Sequence, residues 1–153
     1  MRLLITVLMF AFFLNTKAQD HTLKGRIISE NFEILPEVKI STPEKELLGI
    51  TDINGRFEIS IPNEVLELNI SFIGMEPTKI KLLGNCDTLE VILMIETIYD
   101  FVSLKKVDKL RMKRFKKLPE KHKDAFDKGI FNTSIACYTQ EFIPYYKKKR
   151  INN

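Results

Sequence analysis

Between His21 and Met94 the apolar positions recur every second residue. Ile59 and Ile61 alternate with Glu58 and Ser60 after Phe57. Leu66, Leu68, Ile70 and Phe72 alternate with Glu67, Asn69 and Ser71, and Ile80 and Leu82 with Lys79 and Lys81. Leu89, Val91 and Leu93 share a face of the next run. Such alternation marks strands with one face on a core and one in water. Weaker runs precede them at Leu23 to Ser29, Val38 to Ser41 and Leu47 to Thr51. The breaks carry turn chemistry: Asn54-Gly55 is a hairpin signal in which both residues tolerate positive φ, and Pro62-Asn63, Gly74, Pro77 and Gly84-Asn85 punctuate the rest. About seven short, evenly spaced strands predict an antiparallel sandwich or barrel. The spacing leaves no room for crossover helices, so a parallel α/β sheet is excluded.

After Asp100 the period changes. Phe101, Leu104, Val107, Met112, Phe115 and Leu118 fall in one sector at 100° per residue, with Lys105, Lys106, Lys109, Lys113, Lys116 and Lys117 opposite. This is an amphipathic helix with a basic face, although Asp108 and Arg111 intrude on its apolar sector. Pro119 predicts a break at Leu118 and can open a second short helix, with Glu120 in its first turn and Gly129 as its stop. Residues 130–146 are aromatic-rich and aperiodic, predicting an ordered arm before a basic end, Lys147 to Arg150.

The first residues belong to neither pattern. Arg2 precedes an almost unbroken apolar run, Leu3 to Leu14, followed by Asn15-Thr16-Lys17-Ala18. The run is too short to span a bilayer, which takes about 20 residues. Its length and its small residues before position 19 are those of a cleaved export signal ending at Ala18. Charge is also divided along the chain. Residues 102–153 hold 15 Lys+Arg and 5 Asp+Glu, a formal +10, whereas residues 19–101 stand at −8. A basic tail beside an acidic body predicts contact with an anionic surface or with the body itself.

Four blocks then stand in order: Gly25-Arg26-Ile27-Ile28, Leu35-Pro36-Glu37-Val38-Lys39-Ile40, Gly49-Ile50-Thr51-Asp52-Ile53-Asn54-Gly55-Arg56-Phe57, and Leu68-Asn69-Ile70-Ser71-Phe72-Ile73-Gly74-Met75-Glu76. Together they resemble the carboxypeptidase regulatory-like domain over roughly residues 21–95. The resemblance implies a transthyretin-like sandwich, itself non-catalytic, of the kind found in exported proteins of Gram-negative bacteria. The expected fold is therefore mainly β: a transthyretin-like antiparallel β-sandwich of about seven strands, followed by a basic α-helical C-terminal extension. The expected organisation is a signal peptide at 1–18, the sandwich at 19–98, amphipathic basic helices at 99–129, and an arm with a basic tail at 130–153.

Candidate chemistry is sparse. His21 and His122 have no metal-ligand partners at a recognisable spacing and read as solvated histidines. Asp52, with Asp87 or Glu76, lacks the dense oxygen spacing of a calcium loop, so capping of a turn is the better reading. No nucleophile elbow or Ser/His/Asp set occurs, and no cofactor or metal is implied. Cys86 and Cys137 are the only cysteines. Export into an oxidising compartment favours a bridge between them, with two free or buried thiols as the alternative. The six lysines named above are the candidate contact with an anionic surface. The apolar stripe, Leu104, Val107, Met112, Phe115 and Leu118, is expected to dock on the acidic domain and leave the lysine face in water, and export argues against nucleic acid as a partner. The expected function is a non-catalytic interaction or structural module of the cell envelope, periplasmic, outer-membrane associated or secreted, with an envelope protein or anionic envelope surface as partner and no transmembrane segment after signal cleavage. The alternative is an accessory or divergent envelope enzyme, with a site between sandwich and arm built from Tyr138, Glu141 and His122.

Overall fold

The computed structural model describes residues 20–84 and 86–146. The expected export signal at 1–18 and the basic end Lys147 to Arg150 lie outside the described residues. Eight strands are present: β1 (Asp20–Ser29), β2 (Lys39–Ser41), β3 (Leu47–Ile50), β4 (Arg56–Pro62), β5 (Glu67–Ser71), β6 (Thr78–Leu82), β7 (Thr88–Leu93) and β8 (Tyr138–Glu141). Two helices, α1 (Leu104–Phe115) and α2 (Leu118–Asp127), lie between β7 and β8. The strands form two sheets, ordered β4-β1-β7 and β3-β2-β5-β6-β8.

Alternation in the sequence becomes the inter-sheet core. Phe57, Ile59 and Ile61 of β4 are buried while Arg56, Glu58 and Ser60 face water. Leu68 and Ile70 of β5, Ile80 and Leu82 of β6, and Leu89, Val91 and Leu93 of β7 join them in one cluster. Leu66 stays exposed because β5 starts only at Glu67. Gly25 is needed for a close approach: a Cβ there would stand 1.7 Å from the Leu89 carbonyl oxygen and 3.0 Å from the Phe57 ring.

The turn between β3 and β4 forms at the expected place, but it closes no hairpin: β3 pairs with β2 and β4 with β1, so the turn links the two sheets. Only Gly55 takes positive φ, at +70°, and Asn54 does not. Gly55 N–H donates to the Asp52 carbonyl at 2.9 Å, and the Asp52 carboxylate accepts from the Asn54 and Arg56 amides, each at 2.8 Å. This is a three-residue loop with glycine in the left-handed position, and Asp52 acts as its cap.

Three features depart from the sequence expectation. The pairing is not wholly antiparallel, since β1 runs parallel to β7 from Lys24–Thr88 to Ser29–Leu93. Nearly sixty residues separate the two strands and pass through the opposite sheet, so no crossover helix is required. The described residues form eight strands where about seven are expected, because the arm contributes β8, which pairs antiparallel with β6 from Leu82–Tyr138 to Lys79–Glu141. The sandwich is thus not complete at residue 98. Finally, β7 is buried on both faces: Ile92, with Ile28 and Met94, packs against Leu118, Ala125 and Phe131 of the extension. The helices form a third layer over part of the smaller sheet.

Candidate functional site

Buried charge joins the apolar contacts on β7 in holding the extension to the sandwich. α1 starts after Ser103, and the chain turns at Lys116 and Lys117, one residue before the position that Pro119 predicts. Pro119 then sits in the first turn of α2, and Gly129, with φ +70°, closes it. On the inner face of α1, Arg111 is 2% exposed and forms a two-point pair with Glu76, Nε to Oε1 at 3.0 Å and Nη2 to Oε2 at 2.6 Å. Its Nη1 also donates to Asp108 at 2.9 Å and to the Ile143 carbonyl at 3.0 Å, and Tyr145 lies 3.6 Å over the guanidinium. Burial acts to lower the Arg111 pKa, but the hydrogen bonds and charge of Glu76 outweigh it and hold the pKa above its ordinary value.

Two further contacts fasten the same layer. Arg114 pairs with Glu30, whose carboxylate also accepts from the Ile95 amide at 2.9 Å. Burial acts to raise the Asp108 pKa, yet the Tyr145 and Tyr146 amides, at 2.9 and 2.8 Å, together with Arg111 bring it below the usual carboxylate range. Asp108 thereby clamps the end of the arm to α1.

Glu90 is the outward-facing carboxylate of β7, buried beneath the segment after α2. It accepts four hydrogen bonds: from the Asn132 amide (2.7 Å) and side chain (3.0 Å), and from the Thr133 amide (2.9 Å) and hydroxyl (2.8 Å). Donors aimed at a carboxylate can satisfy it without a cation. Cys86 and Cys137 are bridged, with Cα atoms 5.5 Å apart, so β8 is tied covalently to the loop before β7.

Two sequence readings are corrected by this geometry. Arg111, an apparent intruder on the apolar stripe, is among the most buried residues of α1, while Leu104 of that stripe is more than half exposed. An arginine in an apolar sector was itself the signal that a buried acid awaited it; Glu76, Glu30 and Glu90 were missed because nothing in their local pattern names a partner. His122 is not solvated. It is buried against Phe131, with ring centroids 4.9 Å apart, and Nε2–H donates to the Thr133 carbonyl at 3.1 Å while Nδ1 has no partner among the described residues.

Burial lowers the His122 pKa below its ordinary 6.5, against the opposing influence of Glu90 and the Thr133 carbonyl. The unfolded chain therefore takes up the proton more readily than the folded one. The stability this residue contributes is complete above about pH 6.5 and is lost as the pH falls below it. Denaturant unfolding between about pH 7 and about pH 5 should show that loss, and His122→Phe should flatten the slope. An unchanged slope in the variant would remove His122 as its source.

The other sequence candidates divide. Lys105, Lys106, Lys109, Lys113, Lys116 and Lys117 are all exposed, and among the described residues none of them forms an ion pair. Tyr138, Glu141 and His122 are not brought together. Tyr138 packs against the inter-sheet core, where burial raises its pKa; Glu141 is exposed opposite Lys79; His122 lies in the helical layer. A groove of about 630 Å³ lies over the uncovered part of the smaller sheet. Charges of both signs line it, including Lys24 of β1, which pairs with the opposing Glu58 of β4 at 3.1 Å.

Residues 23–99 match the sequence profile of the CarboxypepD_reg-like domain. The chain belongs to the carboxypeptidase regulatory-like domain family. The match spans β1 to β7 and stops before α1, so the carboxypeptidase regulatory-like domain supplies both sheets except β8. Domains of this family are regulatory, non-catalytic modules. No curated protein matches the chain. No described helix is long and apolar enough to cross a membrane.

Proposed function

We propose that this protein is a non-catalytic, exported interaction module of the cell envelope that presents the outer face of its helical layer to an anionic envelope component. One observation carries the reading: charge on the extension is sorted by face. The inner charges, Arg111, Arg114 and Asp108, are taken up by Glu76, Glu30 and the arm. The outer face offers six exposed lysines without acidic partners among the described residues. Such a face attracts anions through a field that salt screens over about 8 Å at physiological ionic strength. The apolar run after Arg2, ending at Ala18, supports export.

The test uses protein recovered from the native envelope, whose first residue should be Gln19. It should bind anionic liposomes or envelope fragments in a salt-sensitive manner. Reversal of Lys109, Lys113, Lys116 and Lys117 to Glu should abolish that binding and leave the circular dichroism spectrum unchanged, since all four side chains face water. Wild-type protein indifferent to every anionic surface would end the reading.

A further inference from the structure

We infer that the anionic partner is a phospholipid leaflet and that the loop leading into α1 inserts its apolar tip into it. The inference rests on the basic-face reading and adds a second, apolar contact to it. Four large apolar side chains of the β5–β6 loop and of the segment that enters α1 are exposed: Ile73 at 94%, Ile98 at 85%, Phe101 at 108% and Leu104 at 54%. The fold sets the segments of the first two side by side. Met75 bridges to Ile95, and the Glu96 amide donates to the Gly74 carbonyl at 2.9 Å, which sets the β5–β6 loop beside the segment that carries Ile98. Phe101 also adopts φ +58°, a left-handed conformation that disfavours a bulky residue by about 1–2 kcal/mol. A ring both bare and strained gains nothing for the fold, and that combination points to use at a surface.

Charge selects the occupant. Lys105, Lys106 and Lys109 follow Leu104 directly on α1 and are exposed. Glu96 and Asp100 are the acidic residues of the loop, outnumbered by these cations. Self-association through the tip would press lysines of two copies together. Apolar side chains at the headgroup boundary, flanked by lysines meeting anionic lipid, form the usual peripheral membrane contact.

The chain contains no tryptophan, so Phe101→Trp introduces a single indole at the tip. With phosphatidylglycerol-containing vesicles its emission should shift to the blue and be quenched by nitroxide-labelled lipid. With pure phosphatidylcholine vesicles neither should occur at the same protein concentration. Ile98→Ser with Phe101→Ser should bind the anionic vesicles about tenfold or more weakly, because even partial burial of two such side chains is worth that factor. Binding that depends on the lysines while the indole emission stays water-like would overturn insertion and leave the basic-face reading standing. Absence of vesicle binding would overturn the lipid assignment. A dimer in sedimentation that the double Ser variant dissociates would overturn it in favour of a second copy.

Discussion

Glu76→Leu will destabilise the protein by about 3–5 kcal/mol, because it leaves Arg111 buried and without its main counter-charge. The geometry requires a large effect. The Glu76 and Arg111 side chains are 5% and 3% exposed, and two hydrogen bonds of 3.0 and 2.6 Å join them. Asp108 still touches Arg111 in the variant, but its carboxylate is already occupied by the Tyr145 and Tyr146 amides. Most of the loss reflects the stranded guanidinium rather than the worth of the pair. Glu76→Leu combined with Arg111→Met should therefore recover much of the stability, since apolar replacement of a whole buried pair is often neutral. Urea unfolding of the four proteins in the cycle decides this. A loss under about 1 kcal/mol for the single variant would mean that water reaches Arg111 and that the helical layer is not docked as described.

Replacing both Cys86 and Cys137 by Ser is expected to cost about 4 kcal/mol, the loop-closure entropy for a cross-link across 51 residues. The closed loop contains the whole helical layer, so the bridge restrains that layer in the unfolded chain as well as tying down β8. β8 is a short edge strand of four residues, and its neighbour Cys137 accepts from the Leu83 amide at 2.8 Å. Without the bridge, β8 should separate from β6 before the sheets themselves unfold. Hydrogen exchange at the Thr139 and Glu141 amides, which face Lys81 and Lys79 of β6, would then quicken more than at those of β5. Equal unfolding midpoints for the Ser variant and the oxidised wild type would show that the arm is held entirely by Glu90, Asp108 and Arg111.

The chemical sorting of the extension gives these experiments their functional bearing. The inner charges decide whether the lysine face is presented rigidly or on a loose tether. A variant that loosens the layer without unfolding the sandwich would separate affinity that depends on a fixed array of lysines from affinity that depends on charge alone.

The sequence by itself determined the parts whose signal is local. Period-two runs specified the buried faces of β4, β5 and β6, because successive side chains of a strand alternate between faces whatever the strand pairs with. The Asp52–Gly55 turn, the helical period after Asp100 and the stop at Gly129 were legible for the same reason, each resting on residues within a few positions of one another. Tertiary structure alone decided which buried acid meets which base. Arg111 and Glu76 are 35 residues apart, Glu90 and Asn132 are 42 apart, and Arg114 and Glu30 are 84 apart. A buried charge announces in sequence that it needs a partner, as Arg111 did, without saying where that partner lies. The parallel pairing of β1 with β7 and the recruitment of β8 to the edge of β6 share that character, since strand partners are chosen by the closure of the whole sheet. The burial of β7 on both faces follows from the third layer, which only the folded extension supplies.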